Sequence, residues 1–206
     1  GVKPREADLR AIHDSDARIP SVQKIGDHYY NLWKDKQNPQ GLWRRTTLAE
    51  YRKPDTKWET VIDLDALGAA EKENWVWHGA ECLKPKYERC LIALSRGGSD
   101  ADVTREFDLD TKTWVQDGFF RPEAKGGLQW IDQDTVFVYT DFGSGSMTKS
   151  GYPRVVKQWT RGTPMASATL VYEGKNEDLY IAAYRDLSPG YERDFVGRAI
   201  TFYTNE

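Results

Sequence analysis

Three histidines, His13, His28 and His78, are the only imidazoles in the 206-residue sequence. Nucleophilic or acid–base chemistry near neutral pH would start from them. A hydrolytic triad needs a histidine within hydrogen-bond reach of both a nucleophile and an acid. His13 falls in a polar lead-in and His28 opens a predicted strand, so both are expected at the surface. His78 follows Trp77 on a predicted strand and is expected to have a structural partner rather than a catalytic one. No serine sits in Gly-x-Ser-x-Gly, and Gly143-Ser144-Gly145-Ser146-Met147 misses that spacing. The Gly-rich run closing on Lys149-Ser150-Gly151 lacks the phosphate-loop pattern and is read as a long connection between strands. Asp100, Asp102, Asp108 and Asp110 sit in turns without the length or terminal Glu of a calcium loop, so turn capping is expected of them. Cys82 and Cys90 are not spaced as zinc ligands. They are either two buried thiols or a disulfide across a hairpin centred near Lys86. No catalytic residue, metal site or cofactor is expected within the chain.

The elements that would position such residues are overwhelmingly strands. The chain has 39% hydrophobic and 30% charged residues, a composition for a folded rather than a disordered protein. Its 8 Trp, 11 Tyr and 7 Phe favour pleated, half-buried surfaces. The net charge of −3, with no basic run, argues against nucleic acid. No apolar stretch is long enough for a membrane span. The N-terminus lacks the apolar core of a signal peptide, which leaves the compartment open between cytoplasm and periplasm. Residues 5–17 read as a short helix or irregular lead-in, and 64–71 as one or two further helical turns. Strands are expected at 29–34, 42–48, 58–64, 75–79, 90–94, 103–109, 113–116, 128–131, 135–140, 154–159, 169–172, 179–184 and 195–203.

Their spacing decides the fold class. Trp77 and Trp130 lie 53 residues apart, Trp130 and Tyr180 lie 50 apart, and Phe107 and Trp159 lie 52 apart. Each window holds about four short strands, the repeat of a propeller blade. The expected fold is all-β, a partial β-propeller of about three and a half four-stranded blades. The lead-in is residues 1–17 and the propeller 18–206. Blades are expected over 18–63, 75–117, 127–173 and from 178 onward. A ring would not close with so few blades, so a fragment of a longer protein is expected, with exposed blade faces able to self-associate. Polar residues cluster at the blade junctions. Glu123, Lys125, Asp141 and Arg154 are the substrate-facing candidates, with inter-blade salt bridges and turn caps as the competing role.

A family resemblance sharpens this reading. Ser95-Arg96-Gly97-Gly98-Ser99-Asp100-Ala101, followed by Arg105-Glu106-Phe107-Asp108, resembles the second blade of the N-terminal propeller of the prolyl oligopeptidase family of serine peptidases. Pro122-Glu123-Ala124-Lys125, Trp130-Ile131-Asp132, Thr140-Asp141-Phe142-Gly143 and Ser150-Gly151-Tyr152-Pro153-Arg154 continue it. So do Leu42-Trp43-Arg44-Arg45-Thr46-Thr47-Leu48 and Asn74-Trp75-Val76-Trp77. The similarity is closest to a bacterial oligopeptidase-like branch. It implies a seven-bladed parent in which the propeller caps a C-terminal α/β-hydrolase domain of the same chain. There the propeller limits access to short peptides, which the hydrolase typically cleaves after proline. None of the triad maps onto this sequence. Some members place a propeller aromatic near the substrate, and the comparable stretch here, Lys125-Gly126-Gly127, has none. A free-standing propeller used as a binding module, or an inactive peptidase-like parent, are the alternatives.

Overall fold

The structure is a computed structural model that describes residues 2–13 and 21–206. Asp14 and Asp16 of the lead-in lie outside the described residues, as does the side chain of His13. The described part of the lead-in is helix α1, Val2–His13, with Leu9 and Ile12 exposed. The chain divides into two compact units, Gly1–Trp75 and Val76–Glu206.

The first unit carries one antiparallel sheet of four strands in chain order: β1 Gln23–Ile25, β2 His28–Trp33, β3 Leu42–Thr47 and β4 Glu59–Asp63. Tyr30 and Trp43 pack ring to ring at 5.0 Å in its core. The Arg44 guanidinium lies 4.3 Å from the ring centres of both Trp33 and Trp58, so a charged residue covers apolar surface there. Two short helices follow their strands because a capping residue starts each one. The Thr47 hydroxyl accepts from the Glu50 N–H ahead of α2, Leu48–Tyr51. The Asp63 carboxylate accepts from the Ala66 N–H ahead of α3, Leu64–Glu71. The second of these is the helical stretch expected at 64–71.

The second unit holds three further antiparallel sheets. One is built from β5 Trp75–Cys82, β6 Arg89–Arg96, β7 Asp102–Asp108, β8 Thr113–Trp114 and β9 Phe120–Ala124. The next is β10 Gly127–Asp132, β11 Thr135–Tyr139, β12 Val155–Thr160 and β13 Thr169–Glu173. The last is β14 Tyr180–Asp186, β15 Arg193–Thr201 and β16 Thr204–Asn205. The four sheets fall where the 50-residue repeat puts blades.

The middle of the chain adds a feature that the repeat does not show. Strands β8 and β9 both pair antiparallel with β7, one at Phe107–Asp108 and the other over Asp102–Arg105. They are two halves of one fourth strand, broken by residues 115–119. The break carries Phe119 inward, where its ring meets Trp130 at 5.8 Å and Trp159 at 5.0 Å, both edge-on. That cluster, with Leu91, Leu128, Val136 and Val138, is the core between these two sheets. Ile131, Phe137 and Val156 pack on Ile181 and Ala183 to join the next pair.

Across the β5–β6 hairpin, Cys82 and Cys90 are disulfide-bonded. Of the two states open from the sequence, the bonded one is present. Residues 83–88 form the turn between the two strands, with Lys86 near its middle.

Candidate functional site

Strand β5 brings His78, Gly79 and Glu81 to one wall of a cavity of about 250 Å³. Strands β10 and β11 supply Gln129 and Tyr139 opposite, and β7 supplies Asp102 and Thr104. Strand packing alone would not keep these polar groups in place, so the hydrogen bonds beneath them matter. Arg121 of β9 is fully buried. Its guanidinium donates to Asp102 Oδ1, to Thr104 Oγ1 at 3.0 Å and to the Ala124 carbonyl at 2.8 Å. Asp102 Oδ2 lies 2.9 Å from His78 Nδ1. His78 therefore has the structural partner expected of it, and it also borders the cavity. Burial lowers the Arg121 pKa from its ordinary value, and the Asp102 charge opposes that shift.

Backbone freedom shapes the opposite wall. Gly126 has φ +144°, and a Cβ there would stand 2.0 Å from the Tyr139 carbonyl oxygen. At Gly127 a Cβ would stand 2.8 Å from the Tyr139 hydroxyl oxygen. The pair thus lets the Tyr139 ring lie directly against the chain, a close approach that only glycine permits. Burial pushes the Tyr139 hydroxyl pKa up, opposed by a hydrogen bond with Gln129 and by the Arg121 charge. The stretch without an aromatic of its own is therefore backed by one from the neighbouring strand.

Glu81 is held differently. Its carbonyl accepts from Trp130 Nε1 at 2.9 Å, which ties β5 to β10. Its carboxylate has no ion-pair or hydrogen-bond partner among the described residues. Solvent reaches the residue, yet protein on both sides raises its carboxyl above the ordinary glutamate range, with Lys84 pulling the other way. A second cavity of about 230 Å³ shares Glu81 and Gln129 with the first and adds Trp130, Tyr184 and Arg185. Sequence reasoning did not single out Glu81. The available signal was an acidic residue on the first strand of a blade.

The four substrate-facing candidates lie elsewhere, and none lines the first cavity. Glu123 Oε2 accepts from Arg96 Nη1 at 2.8 Å, both partly exposed. Lys125 Nζ sits 3.4 Å from Asp100 Oδ2 and 4.1 Å from the centre of the Tyr152 ring. The Tyr152 hydroxyl donates to the same Asp100 oxygen at 2.8 Å, so the group bridges adjacent sheets. Asp141 Oδ1 accepts from the Gly143 N–H at 2.8 Å and from Ser146 Oγ at 3.2 Å, which closes the start of the Gly-rich connection. Arg154 donates to the Gly145 and Gly174 carbonyls at 2.6 and 2.7 Å and pairs with Glu173 at 2.7 Å. Elsewhere, Asp108 caps its turn by accepting from the Asp110 and Thr111 amides. Among the described residues no group of three or more His, Cys, Asp or Glu is placed to hold a metal ion. No helix among them is long and apolar enough to cross a membrane.

Comparison with known proteins accounts for this arrangement. The family model described as prolyl oligopeptidase, N-terminal beta-propeller domain, matches residues 8–191. An uncharacterized peptidase of Sinorhizobium fredii, y4nA, is 38% identical over 98% of this chain. A second uncharacterized peptidase, RP174 of Rickettsia prowazekii, is 32% identical over 90% of it. The chain spans 28% and 27% of the lengths of these two relatives. Among solved structures, a post-proline cleaving enzyme from Rickettsia typhi matches 98% of this chain and 31% of its own, with a TM-score of 0.91 at 30% identity. Oligopeptidase B from Leishmania major shares the fold, with a TM-score of 0.67 at 14% identity over 93% of this chain and 26% of its own.

Proposed function

From the membership of this chain in the prolyl oligopeptidase N-terminal β-propeller family, shown by the match over 8–191, we propose that it gates peptide access to a serine-type hydrolase domain. That domain is proposed to lie C-terminal in the same parent chain, and the bond chemistry to occur there. In this reading residues 18–206 are the propeller part and 1–17 the lead-in. The observation that carries the proposal is the pair of small cavities sharing Glu81 and Gln129 between the first strands of adjacent sheets. Cavities of that size have room for a residue or two of a peptide and none for a folded domain. Glu123 and Lys125, with Arg96, Asp100 and Tyr152, form a partly exposed polar rim that supports a role in orienting peptides. Asp141 and Arg154 support that rim by fixing the connection beside it. Cleavage after proline is proposed by likeness to the Rickettsia typhi enzyme.

The test uses the full-length parent. It should cleave a short proline-containing chromogenic peptide and lose that activity in a control lacking the nucleophilic serine. It should leave the same sequence uncut when the sequence is embedded in a folded protein. Equal rates for parent and control, or equal cleavage of free and embedded sequence, would reject the gating role.

We propose further that the isolated chain pairs with a second copy through the outer face of the last sheet. Tyr184 and Phe195 are stacked there at 5.2 Å and stay exposed, with Tyr180 beside them.

A further inference from the structure

We infer that the groove around Glu81 is a subsite for a positively charged group of an oligopeptide, an ammonium or a guanidinium. The inference rests on the gating reading above and adds to it a ligand class and an anchoring residue. The geometry comes first. Glu81 stands in the wall of both cavities, and the Trp130 Nε1 bond to its carbonyl holds β5 against β10 at that point. Glu81 is thus common to the linings of both cavities.

Charge matching comes second. Asp102 is held by Arg121 and His78, and Arg185 makes two hydrogen bonds to Asp194 at 2.6 and 2.8 Å. Lys84 and Asp186 also line the second cavity, where Asp186 accepts from the Ser188 N–H at 2.8 Å. The Glu81 carboxylate has no hydrogen-bond or ion-pair partner among the described residues, and Lys84, which lines the same second cavity, acts on it only through space. A carboxylate partly withdrawn from water gains most from a ligand that brings both a positive charge and N–H donors. A neutral peptide would bring it no opposite charge.

The lining comes third. Tyr139 lines the first cavity and Trp130 the second. Aromatic faces beside a carboxylate suit an organic cation. A metal ion is disfavoured, because no further carboxylate, histidine or thiolate joins Glu81 in a group of three among the described residues. At Gly79 an added Cβ would meet no atom within 4 Å, so the approach from that side is open.

The experiment titrates the 206-residue chain with three fluorescent tetrapeptides. One has a free amino terminus and no basic side chain, one is acetylated and amidated with a single lysine, and one is acetylated, amidated and neutral. At least one charged peptide is expected to bind about tenfold tighter than the neutral one, about 1.4 kcal/mol. Whichever charged peptide shows the preference identifies the source of the cation. Glu81→Gln should abolish the preference and leave the neutral peptide's affinity unchanged, with circular dichroism confirming the fold. Gln129→Glu should strengthen it. A preference retained in Glu81→Gln overturns the subsite and leaves the gating reading standing. Failure of all three peptides to bind overturns the subsite as well, while the gating reading stands or falls by the cleavage test on the parent.

Discussion

Replacing Arg121 with methionine tests whether the buried ion pair holds the site together. Arg121 has no exposed surface, and methionine keeps much of its length and none of its donors. Thr104 Oγ1 and the Ala124 carbonyl each lose a donor, and Asp102, 9% exposed, keeps only His78 as a side-chain partner. Removing one member of a buried pair costs about 3–5 kcal/mol, because the other charge is stranded. The His78 side chain is 27% exposed and stays 2.9 Å from Asp102, which argues for the lower end, about 3 kcal/mol. At about 1.4 kcal/mol per factor of ten, that is roughly a hundredfold in the opening equilibrium of the sheet. Native-state hydrogen exchange read by mass spectrometry on the segment 102–108 should show a loss of protection of that size. Removing both charges, in Arg121→Met with Asp102→Leu, should restore at least half of it, since an apolar pair strands nothing. A change below threefold in the single variant, or a double variant as poorly protected as the single, would refute the reasoning.

Gly126→Ala should lower stability by about 3 kcal/mol, combining a strained φ with a backbone clash against Tyr139. Urea unfolding measures this, and a loss below 1 kcal/mol would show that the strand shifts freely. Multi-angle light scattering on the isolated chain should show a concentration-dependent dimer that Tyr184→Ser with Phe195→Ser abolishes. A monomer at every concentration in the parent sequence would remove the case for pairing.

The blade boundaries were legible because a stacked repeat must bring back its apolar positions at a fixed interval, and Trp77, Trp130 and Tyr180 mark that interval. The helical stretch at 64–71 was legible too, and Asp63, which caps it, stands just before it. Strand β9 was not, because Pro122 and Glu123 read locally as a loop. Only the free edge of β7 makes that segment a strand. The site was less visible still. Glu81 gains its meaning from Trp130, 49 residues away, and from cavities that exist only once adjacent sheets pack. The four candidates near blade junctions make ion pairs and turn closures, the competing role the sequence offered, and none lines the first cavity. A junction loop must satisfy its own backbone, and Asp141 and Arg154 do that directly. The cysteine pairing depended on strand register across the β5–β6 hairpin, which eight residues of spacing alone do not determine.

The broken fourth strand has a mechanical consequence. In a simple stack of sheets each layer can peel from the next along a smooth face. Here Phe119 crosses from one sheet to sit between Trp130 and Trp159 of its neighbour, and Arg161 reaches back from that neighbour to grip Glu106 with two hydrogen bonds at 2.8 and 3.0 Å. The two layers are hooked into each other from both sides. Under pulling or transient opening they should yield together as one block. Any widening of the proposed peptide path is therefore expected at other seams, leaving the walls that β5 and β10 give to the first cavity fixed relative to each other.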